Sequence, residues 1–407
     1  MSILTYLYII LIIVNIVCIV RGNKNKVVSF ASLVFILLFT AGIEYNGSVV
    51  GYDLRNYEIM YNNTSLISNY EWGFKAVNDL GNIIGLDFYQ FRFWIIMITL
   101  FSIFVVVYRM KGNLNLVIVA YLLYFLGPLS GQIKNICAVA VFVHIFPIPK
   151  SSSVRYTIKE CLLIAVAASF HYSFYIYFVF LLINSRVLGS NKKNFYRWFF
   201  SIVTAYTVFC IIFKRFSLFS SVFNIVFSLS DSLNDIYSSR YSTVTGLSSM
   251  ASVAILLLCA FGIIYWKKHF FSIPGNIASG RNEVLLDDYY KRTNISVNYR
   301  IRFGIKKFIL SSEDTECVLD MVLLSSIFFP LVVLNATFYR LIRDVTLIGI
   351  MHLSINCNKY KTNVQKRFFL MWIVIGICIG WFIFDVAIKG YSEEFFKNYF
   401  INSILSF

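Results

Sequence analysis

The chain has 407 residues, of which 58% are hydrophobic and only 14% are charged, and its mean hydropathy is +0.72. A soluble domain cannot bury that much apolar surface, so the composition predicts a protein that crosses a membrane several times. The net charge of +16 would suggest nucleic-acid binding in a soluble protein. In a membrane protein it reflects Lys and Arg in cytoplasmic loops, and we expect no nucleic-acid partner.

Apolar stretches recur along the chain with charged breaks between them. Backbone groups inside a bilayer must be hydrogen-bonded within their own segment, so these stretches are expected to be helices. The prediction is one all-α polytopic membrane domain over 1–407 with about 10–12 transmembrane or re-entrant helices. The first helix has no basic region before it, and we expect it to be retained and to start outside. The predicted segments are 1–20, 27–43, 93–108, 114–129, 132–147, 158–170, 173–184, 198–213, 250–266, 320–336, 341–355 and 368–384.

The basic residues predict the orientation. With the start of the chain outside, 25 of the 36 Lys and Arg residues fall in inside loops, as the positive-inside rule requires. The same alternation predicts sizeable outer loops over 44–92 and 214–249, an outer tail over 385–407 and a basic cytoplasmic loop over 267–319. The stretch NYRIRFGIKKF in that cytoplasmic loop either lies on the anionic lipid surface or is simply solvated.

One apolar run, residues 158–184, contains a histidine and has basic residues on both flanks. A single helix over this run would be about 40 Å long, more than the ~30 Å hydrocarbon core, and it would place the loop 267–319 outside. We therefore predict two short helices or a re-entrant pair, with a turn at 169–173 that carries His171 to the outer face. Irregular backbone at that depth is tolerated only against protein or a water-filled cavity, so His171 is expected to line a cavity.

The predicted outer face also carries acidic and amide side chains. The first outer loop contains GYDLRNYEIMY and YEWGF, with carboxylates at Asp53 and Glu71 that can deprotonate a hydroxyl or bind sugar hydroxyls. An ordinary polar loop is the alternative. The stretch GPLSGQIKNICAVA puts Gln132 and Lys134 at the outer mouth of a helix.

Three arginines lie in predicted outer positions, where cations usually mark a ligand or a pairing partner. Arg240 lies in the second outer loop, and Arg340 and Arg343 lie one helical turn apart at the start of an apolar segment. For Arg343, a salt bridge to Asp344 or snorkelling to the interface is the alternative. Clustered Arg, Lys and His suit an anionic ligand such as a phosphate or pyrophosphate. No metal-ligand or nucleotide-binding spacing is present, and we expect neither a metal nor a cofactor.

The order of four short motifs resembles the EpsG-like branch of bacterial polysaccharide polymerases, relatives of the Wzy O-antigen polymerases. Over roughly residues 40–185 the chain matches Gly-x-Asp-x-x-x-Tyr, Glu-x-Gly-aromatic, Gln-x-Arg and Phe-His-x-Ser patterns. In the third pattern Lys replaces the Arg, which removes bidentate phosphate recognition at that position. The matching residues are Gly51, Asp53, Tyr57, Glu71, Gly73, Phe74, Gln132, Lys134, Phe170, His171 and Ser173.

The resemblance implies a GT-C-like, metal-independent glycosyltransferase in the bacterial cytoplasmic membrane, with its active face periplasmic or extracytoplasmic. It implies transfer of a growing glycan from an undecaprenyl pyrophosphate carrier onto another lipid-linked repeat unit, as in O-antigen, lipopolysaccharide or exopolysaccharide synthesis. The acid that acts on the accepting hydroxyl is Asp53 as first choice or Glu71 as second, and His171 is the alternative base. The residues expected around the donor pyrophosphate are Gln132, Lys134, Arg240, Arg340 and Arg343, with His171 beside them.

Two other functions stay open, a lipid-linked oligosaccharide flippase and an O-antigen ligase. A flippase should show related halves and charges at mid-membrane on several helices, whereas this chain has no visible repeat and its candidate cations gather on one face. A ligase would use similar outer-face residues and differ in its acceptor. The expected partners are the lipid-linked donor and acceptor, the bilayer and a membrane protein that regulates chain length.

Overall fold

A computed structural model describes residues 3–22, 25–42, 49–63, 71–127, 131–147, 154–183, 198–199, 201–209, 324–328, 339–359 and 363–388. Within these ranges the chain is helical apart from short connections and contains no strand, in agreement with the predicted all-α class. The predicted outer loop 214–249, the segment 250–266 and the basic loop 267–319 lie outside the described residues, as do Arg240 and most of the predicted tail.

The main helices of the described ranges are numbered in chain order. Besides residues 201–209, which are also helical, the numbered α-helices are α1 (Ile3–Arg21), α2 (Lys26–Ala41), α3 (Val49–Asn62), α4 (Trp72–Ile84), α5 (Phe88–Arg109), α6 (Leu114–Ala120), α7 (Ile133–Phe142), α8 (Val154–Phe170), α9 (Tyr339–Lys359) and α10 (Val364–Ile388). Tighter or wider turns extend or follow some of them, namely a π-turn at Tyr121–Phe125 after α6, a 3-10 turn at Val143–Ile145 after α7, a 3-10 helix at Tyr172–Ile183 after α8 and a 3-10 turn at Ser325–Phe328.

Two of the described helices have the length and composition of membrane segments. In the described part of the chain, Phe88–Arg109 and Val364–Ile383 are long and apolar enough to cross a membrane. Five other apolar helices are shorter. Large apolar side chains are also exposed on the helix surfaces, such as Phe30 at 69% and Phe101 at 72%. Continuous exposed apolar surface is expected where helices contact lipid.

The segment 44–92, predicted as an outer loop, contains α3 and α4. Tyr61 of α3 donates its hydroxyl hydrogen to the carbonyl of Leu86 at 2.8 Å, and its ring stacks on Phe91 with centroids 4.7 Å apart. Burial raises the pKa of the Tyr61 phenol, and the negative charge of Asp87 raises it further. These contacts hold α3 against the start of α5.

Helix α5 begins at Phe88, five residues before the predicted start at 93. Asp87 and Gln90 form a capping box, in which the Asp87 carboxylate accepts from the backbone N–H of Gln90 at 2.8 Å. The Gln90 side chain accepts from the backbone N–H of Asp87 at 3.2 Å. This reciprocal pair satisfies helix N-terminal donors and fixes the start of the helix ahead of its apolar run.

Helices α6 and α7 form the centre of the bundle, and nearly all their side chains are buried. Helices α1, α2, α9 and α10 pack against α6, and α5 and α8 pack against α7. Asn15 of α1 donates to the Ser32 hydroxyl of α2 at 2.7 Å and accepts from Asn115 of α6 at 2.8 Å. Interhelical bonds of this kind stabilise helix contacts where apolar packing alone is not specific.

A second polar contact joins α1 to α6 at the π-turn. The hydroxyl of Tyr8 donates to the carbonyl of Leu122 at 2.5 Å. In a π-turn one carbonyl is released from the regular hydrogen-bonding ladder, so a side chain from another helix can satisfy it.

The predicted break within 158–184 is confirmed at His171. Helix α8 ends at Phe170 and the 3-10 helix begins at Tyr172. The junction lies beside Glu71 and the start of α7, whereas Phe174, Tyr177 and Phe180 of the 3-10 helix contact Phe142 at the other end of α7. The chain therefore doubles back at His171.

Candidate functional site

Five of the predicted site residues come together at one end of the bundle. We call this the charged end, and it is formed by the starts of α4, α7, α9 and the 3-10 helix and by the end of α8. It is the end that the distribution of basic residues predicts to face outside. The predicted residues that meet there are Glu71, Gln132, Lys134, His171 and Arg343.

Glu71 joins three of the matched motifs. It lies directly before α4 and is 5% exposed. Its Oε2 accepts from Lys134 Nζ at 2.8 Å, and its Oε1 lies 3.4 Å from the backbone N–H of Tyr172, which donates to it. The carboxylate is therefore held between the start of α7 and the turn that follows His171.

Gly73 explains how Glu71 reaches this position. A Cβ at Gly73 would collide with the Ser169 hydroxyl and lie 2.9 Å from the Ser169 carbonyl oxygen. Only a residue without a side chain lets the start of α4 approach the end of α8 this closely. The next residue, Phe74, is buried and packs edge-on against Tyr57 of α3, with ring centroids 5.6 Å apart. The Glu-x-Gly-aromatic spacing thus has a physical basis.

Arg343 is wholly buried and binds other side chains. Its Nη2 donates to Gln132 Oε1 at 3.0 Å, and its Nε and Nη2 donate to Asp344 Oδ1 at 3.1 Å. Asn135 donates to the same oxygen of Asp344 at 3.2 Å. The start of α9 therefore binds the start of α7 through Gln132 and Asn135, which lie on either side of Lys134 in the sequence.

Asn135 and Asp344 are site residues that the sequence interpretation missed. From the sequence, Asp344 is only a neighbour that can pair with Arg343, and none of the four motifs includes Asn135. Asn135 follows Gln132 by one helical turn, so the two amides share one face of α7. This spacing was a usable signal once Gln132 had been identified.

His171 is half-buried and its ring orientation is set by Ser173. The His171 Nδ1 lies 3.3 Å from the backbone N–H and 2.7 Å from the hydroxyl of Ser173. Because a backbone N–H can only donate, Nδ1 is an acceptor, and a neutral ring then carries its hydrogen on Nε2. In this tautomer Nε2 carries a hydrogen. It can donate a hydrogen bond to an anionic oxygen, but it cannot take a proton from a hydroxyl.

The other predicted site residues are less completely described. Arg340 is half-buried, one turn before Arg343, and lies near enough to the Asp344 carboxylate to interact with it electrostatically. The backbone of Asp53 lies in α3, while its side chain is not among the described ones. Arg240 lies outside the described residues. The structure thus brings Arg340 close to the Arg343–Asp344 pair, while the placement of the Asp53 side chain and of Arg240 stays a prediction.

No group of three or more His, Cys, Asp or Glu side chains that could hold a metal ion is found within the described ranges. The charges that meet at the charged end are instead paired cations and carboxylates. Such pairs can bind an anionic group when the anion replaces the carboxylate as the partner of the cation.

The comparison with protein families extends the resemblance to most of the chain. The EpsG family matches residues 29–401, which include all four motifs as well as α9 and α10. No curated protein and no solved structure gives a significant match. The predicted resemblance is confirmed, and the chain belongs to the EpsG family.

Proposed function

We propose that the chain is a polysaccharide polymerase with a GT-C-like arrangement. It would join undecaprenyl-pyrophosphate-linked oligosaccharide units at the outer face of the bacterial cytoplasmic membrane. The observation that carries the proposal is the convergence of family motifs on Glu71, which contacts Lys134 and the residue after His171. Membership of the EpsG family indicates the class of reaction, and the convergence of the motifs on Glu71 indicates where in the structure the reaction would take place.

The cations of the charged end are proposed to stabilise the leaving pyrophosphate. When the bond between the sugar anomeric carbon and the phosphate oxygen breaks, negative charge develops on that oxygen, and preorganised donors lower the barrier. Lys134 has 14% of its side chain exposed and is a first contact for the anion. Arg343 is wholly enclosed and supports this contact through Gln132. The Nε2 hydrogen of His171 suits the same role.

Glu71 is proposed to take the proton of the accepting hydroxyl. While Lys134 binds the carboxylate, the Oε2 atom of Glu71 is occupied by this ion pair. An arriving pyrophosphate competes for Lys134 and releases Glu71 to act as a general base. The new bond then joins the acceptor oxygen to the anomeric carbon, the proton moves to the carboxylate and the lipid pyrophosphate leaves. Asp53 is the second candidate for this proton.

The proposal is tested by following product length in a purified system. The full-length protein in lipid nanodiscs is mixed with lipid-linked repeat units, and the products are separated by size. A polymerase yields a ladder of longer glycans still attached to lipid pyrophosphate. Transfer only onto lipid A core would show a ligase. A protein that extends nothing but moves the lipid across the bilayer would be a flippase, and either result would overturn the proposal.

The same distinction can be made in cells. Loss of a polymerase leaves single repeat units displayed outside, whereas loss of a flippase leaves none there. Glu58→Gln is the matched control for a substitution at Glu71. Glu58 lies on α3, in the same predicted outer segment as Glu71. Cells carrying this variant should display long polysaccharide.

A further inference from the structure

The 3-10 helix Tyr172–Ile183 is twelve residues long, whereas most 3-10 helices extend over only a few residues. A 3-10 helix has three residues per turn, so side chains three positions apart lie directly above one another. In an α-helix the same side chains would rotate by about 60° at each step. The sequence YSFYIYFVF places aromatic residues at two of the three positions of each turn, and the helix turns these into two straight rows.

The first row is buried and fixes the rotation of the helix. Phe174, Tyr177 and Phe180 all contact the ring of Phe142 on α7, with centroid distances of 5.4, 4.6 and 6.3 Å. The Tyr177 hydroxyl donates to the carbonyl of Leu341 at 2.7 Å. Because this row is anchored to α7 and α9, the second row has a fixed direction.

The second row consists of Tyr172, Tyr175 and Phe178. Neighbouring ring centroids in this row are 6.3 Å apart, and neighbouring ring planes lie within 15° of each other. Tyr172 is 52% exposed and Tyr175 is 49% exposed. At ~2 Å per residue the row is about 12 Å long. Aromatic residues that anchor a protein at the membrane interface gather at one level, whereas this row continues in depth.

The row begins at the charged end. The backbone N–H of Tyr172 donates to Glu71, which also binds Lys134. Lys134 thus lies at the Tyr172 end of the row, and the rest of the row extends away from this cation. This arrangement is complementary to an amphiphile with an anionic head and an extended apolar chain.

We propose that the row of Tyr172, Tyr175 and Phe178 binds the polyprenyl chain of the lipid-linked donor, close to its pyrophosphate. The inference rests on the proposed function and names the part of the substrate that the row contacts. A glycan is a poorer occupant because a sugar would lose its hydrogen bonds to water along a row that ends at Phe178. The row would orient the chain so that the pyrophosphate enters beside Lys134.

The test compares two donors that carry the same glycan pyrophosphate on a short or a full-length polyprenyl chain. With the full-length chain, Tyr175→Ala should raise KM about tenfold, since roughly one ring's worth of apolar contact is lost. With the short chain, KM should stay unchanged. Tyr175→Phe retains the ring and should behave as wild type. Phe101→Ala removes another exposed ring, 72% exposed, from α5 and is the control, with no change for either donor.

A binding measurement keeps this inference separable from the proposed function. The thermal stabilisation of wild type by full-length polyprenyl pyrophosphate without glycan should exceed that by the short-chain compound, and Tyr175→Ala should remove the difference. If Tyr175→Ala and Phe101→Ala behave alike, the row contacts ordinary lipid and the inference is overturned. An equal change with both chain lengths would also overturn it. Wild type that binds with this chain-length preference but extends no glycan would instead refute the polymerase.

Discussion

The two ends of the helix bundle use cations in different ways. At the charged end, Lys134 binds the carboxylate of Glu71 at 2.8 Å. At the opposite end, Arg367 donates to the backbone carbonyl of Val20 at 2.8 Å, in the last turn of α1. A helix carbonyl is fixed, and a cation bound to it completes the helix terminus. A side-chain carboxylate can exchange its partner when a ligand arrives, so the type of partner separates a candidate site from a structural contact.

Arg92 shows that location alone does not make this distinction. It lies in the first turns of α5, at the same end as the charged residues, and is wholly buried. Its guanidinium donates to the carbonyls of Thr40 at 2.6 Å and Ala41 at 3.2 Å, where α2 ends. By the criterion of partner type, Arg92 is a structural cation within the predicted outer region.

The largest effect is expected for Glu71→Gln, which would sharpen the contrast between the two ends. The amide keeps the shape of the side chain and can still accept from Tyr172, but it cannot take a proton. Chain extension should fall by about 10²–10⁴-fold, the usual contribution of a general base. The rate is measured on purified protein with confirmed folding. Activity within a few-fold of wild type would remove Glu71 from the mechanism and favour Asp53.

The second prediction concerns the Arg343–Asp344 pair. Asp344→Leu leaves the buried guanidinium without its carboxylate, and we expect a loss of about 3–5 kcal/mol in the free energy of unfolding. The measurement is thermal or denaturant unfolding in detergent. The double variant Arg343→Met with Asp344→Leu should recover most of the stability but not the activity. Recovery of both would mean that this pair is as purely structural as the contacts at the opposite end.

A smaller change is expected for Arg367→Ala. The substitution removes a hydrogen bond to the last turn of α1 and should lower the free energy of unfolding by about 1–3 kcal/mol. Chain extension per folded molecule should stay the same, because this residue lies far from the charged end. Unfolding curves and rates on the same preparation check both parts. A specific loss of kcat with unchanged stability would break the proposed distinction between the ends.

The smallest effect is expected for Lys134→Arg, which restores the residue of the family pattern. Arginine keeps the charge and gains a bidentate geometry for phosphate. KM for the lipid-linked donor should change by only about threefold, whereas Lys134→Ala should reduce kcat/KM by about 100-fold. The two variants are compared in the same extension assay. If Lys134→Arg were as inactive as Lys134→Ala, the motif alignment at this position would be wrong.

The sequence predicted that Glu71, Lys134 and His171 lie at the same face, because basic residues and apolar runs can be read directly along the chain. Basic flanks on either side of 158–184 required the chain to double back, and that requirement placed His171 near other residues predicted at the same face. The resemblance then supplied the order of the motifs. The structure confirmed the break at His171, and it gave the Glu71–Lys134 contact as a measured distance.

Other features depended on contacts between distant residues and could not be read in this way. Asn135 and Asp344 are 209 positions apart in sequence, and they come together only where α7 contacts α9. The sequence predicted a helix over 173–184 but not its 3-10 form, although the period of three in its aromatic residues was visible. In the 3-10 form Phe174, Tyr177 and Phe180 all contact Phe142, and local propensity does not contain such a tertiary contact.

The polar contacts that join α1 to α6 and to its π-turn constrain how the bundle can deform. Tyr8 and Asn15 are seven residues apart and so face the same side of α1; Tyr8 is bonded to the π-turn and Asn15 to α6. Sliding α1 by one turn would leave a hydroxyl, an amide and a carbonyl unsatisfied in an apolar interior. When the surrounding bilayer becomes thinner or thicker, α1 and α6 are therefore expected to tilt together as a rigid pair.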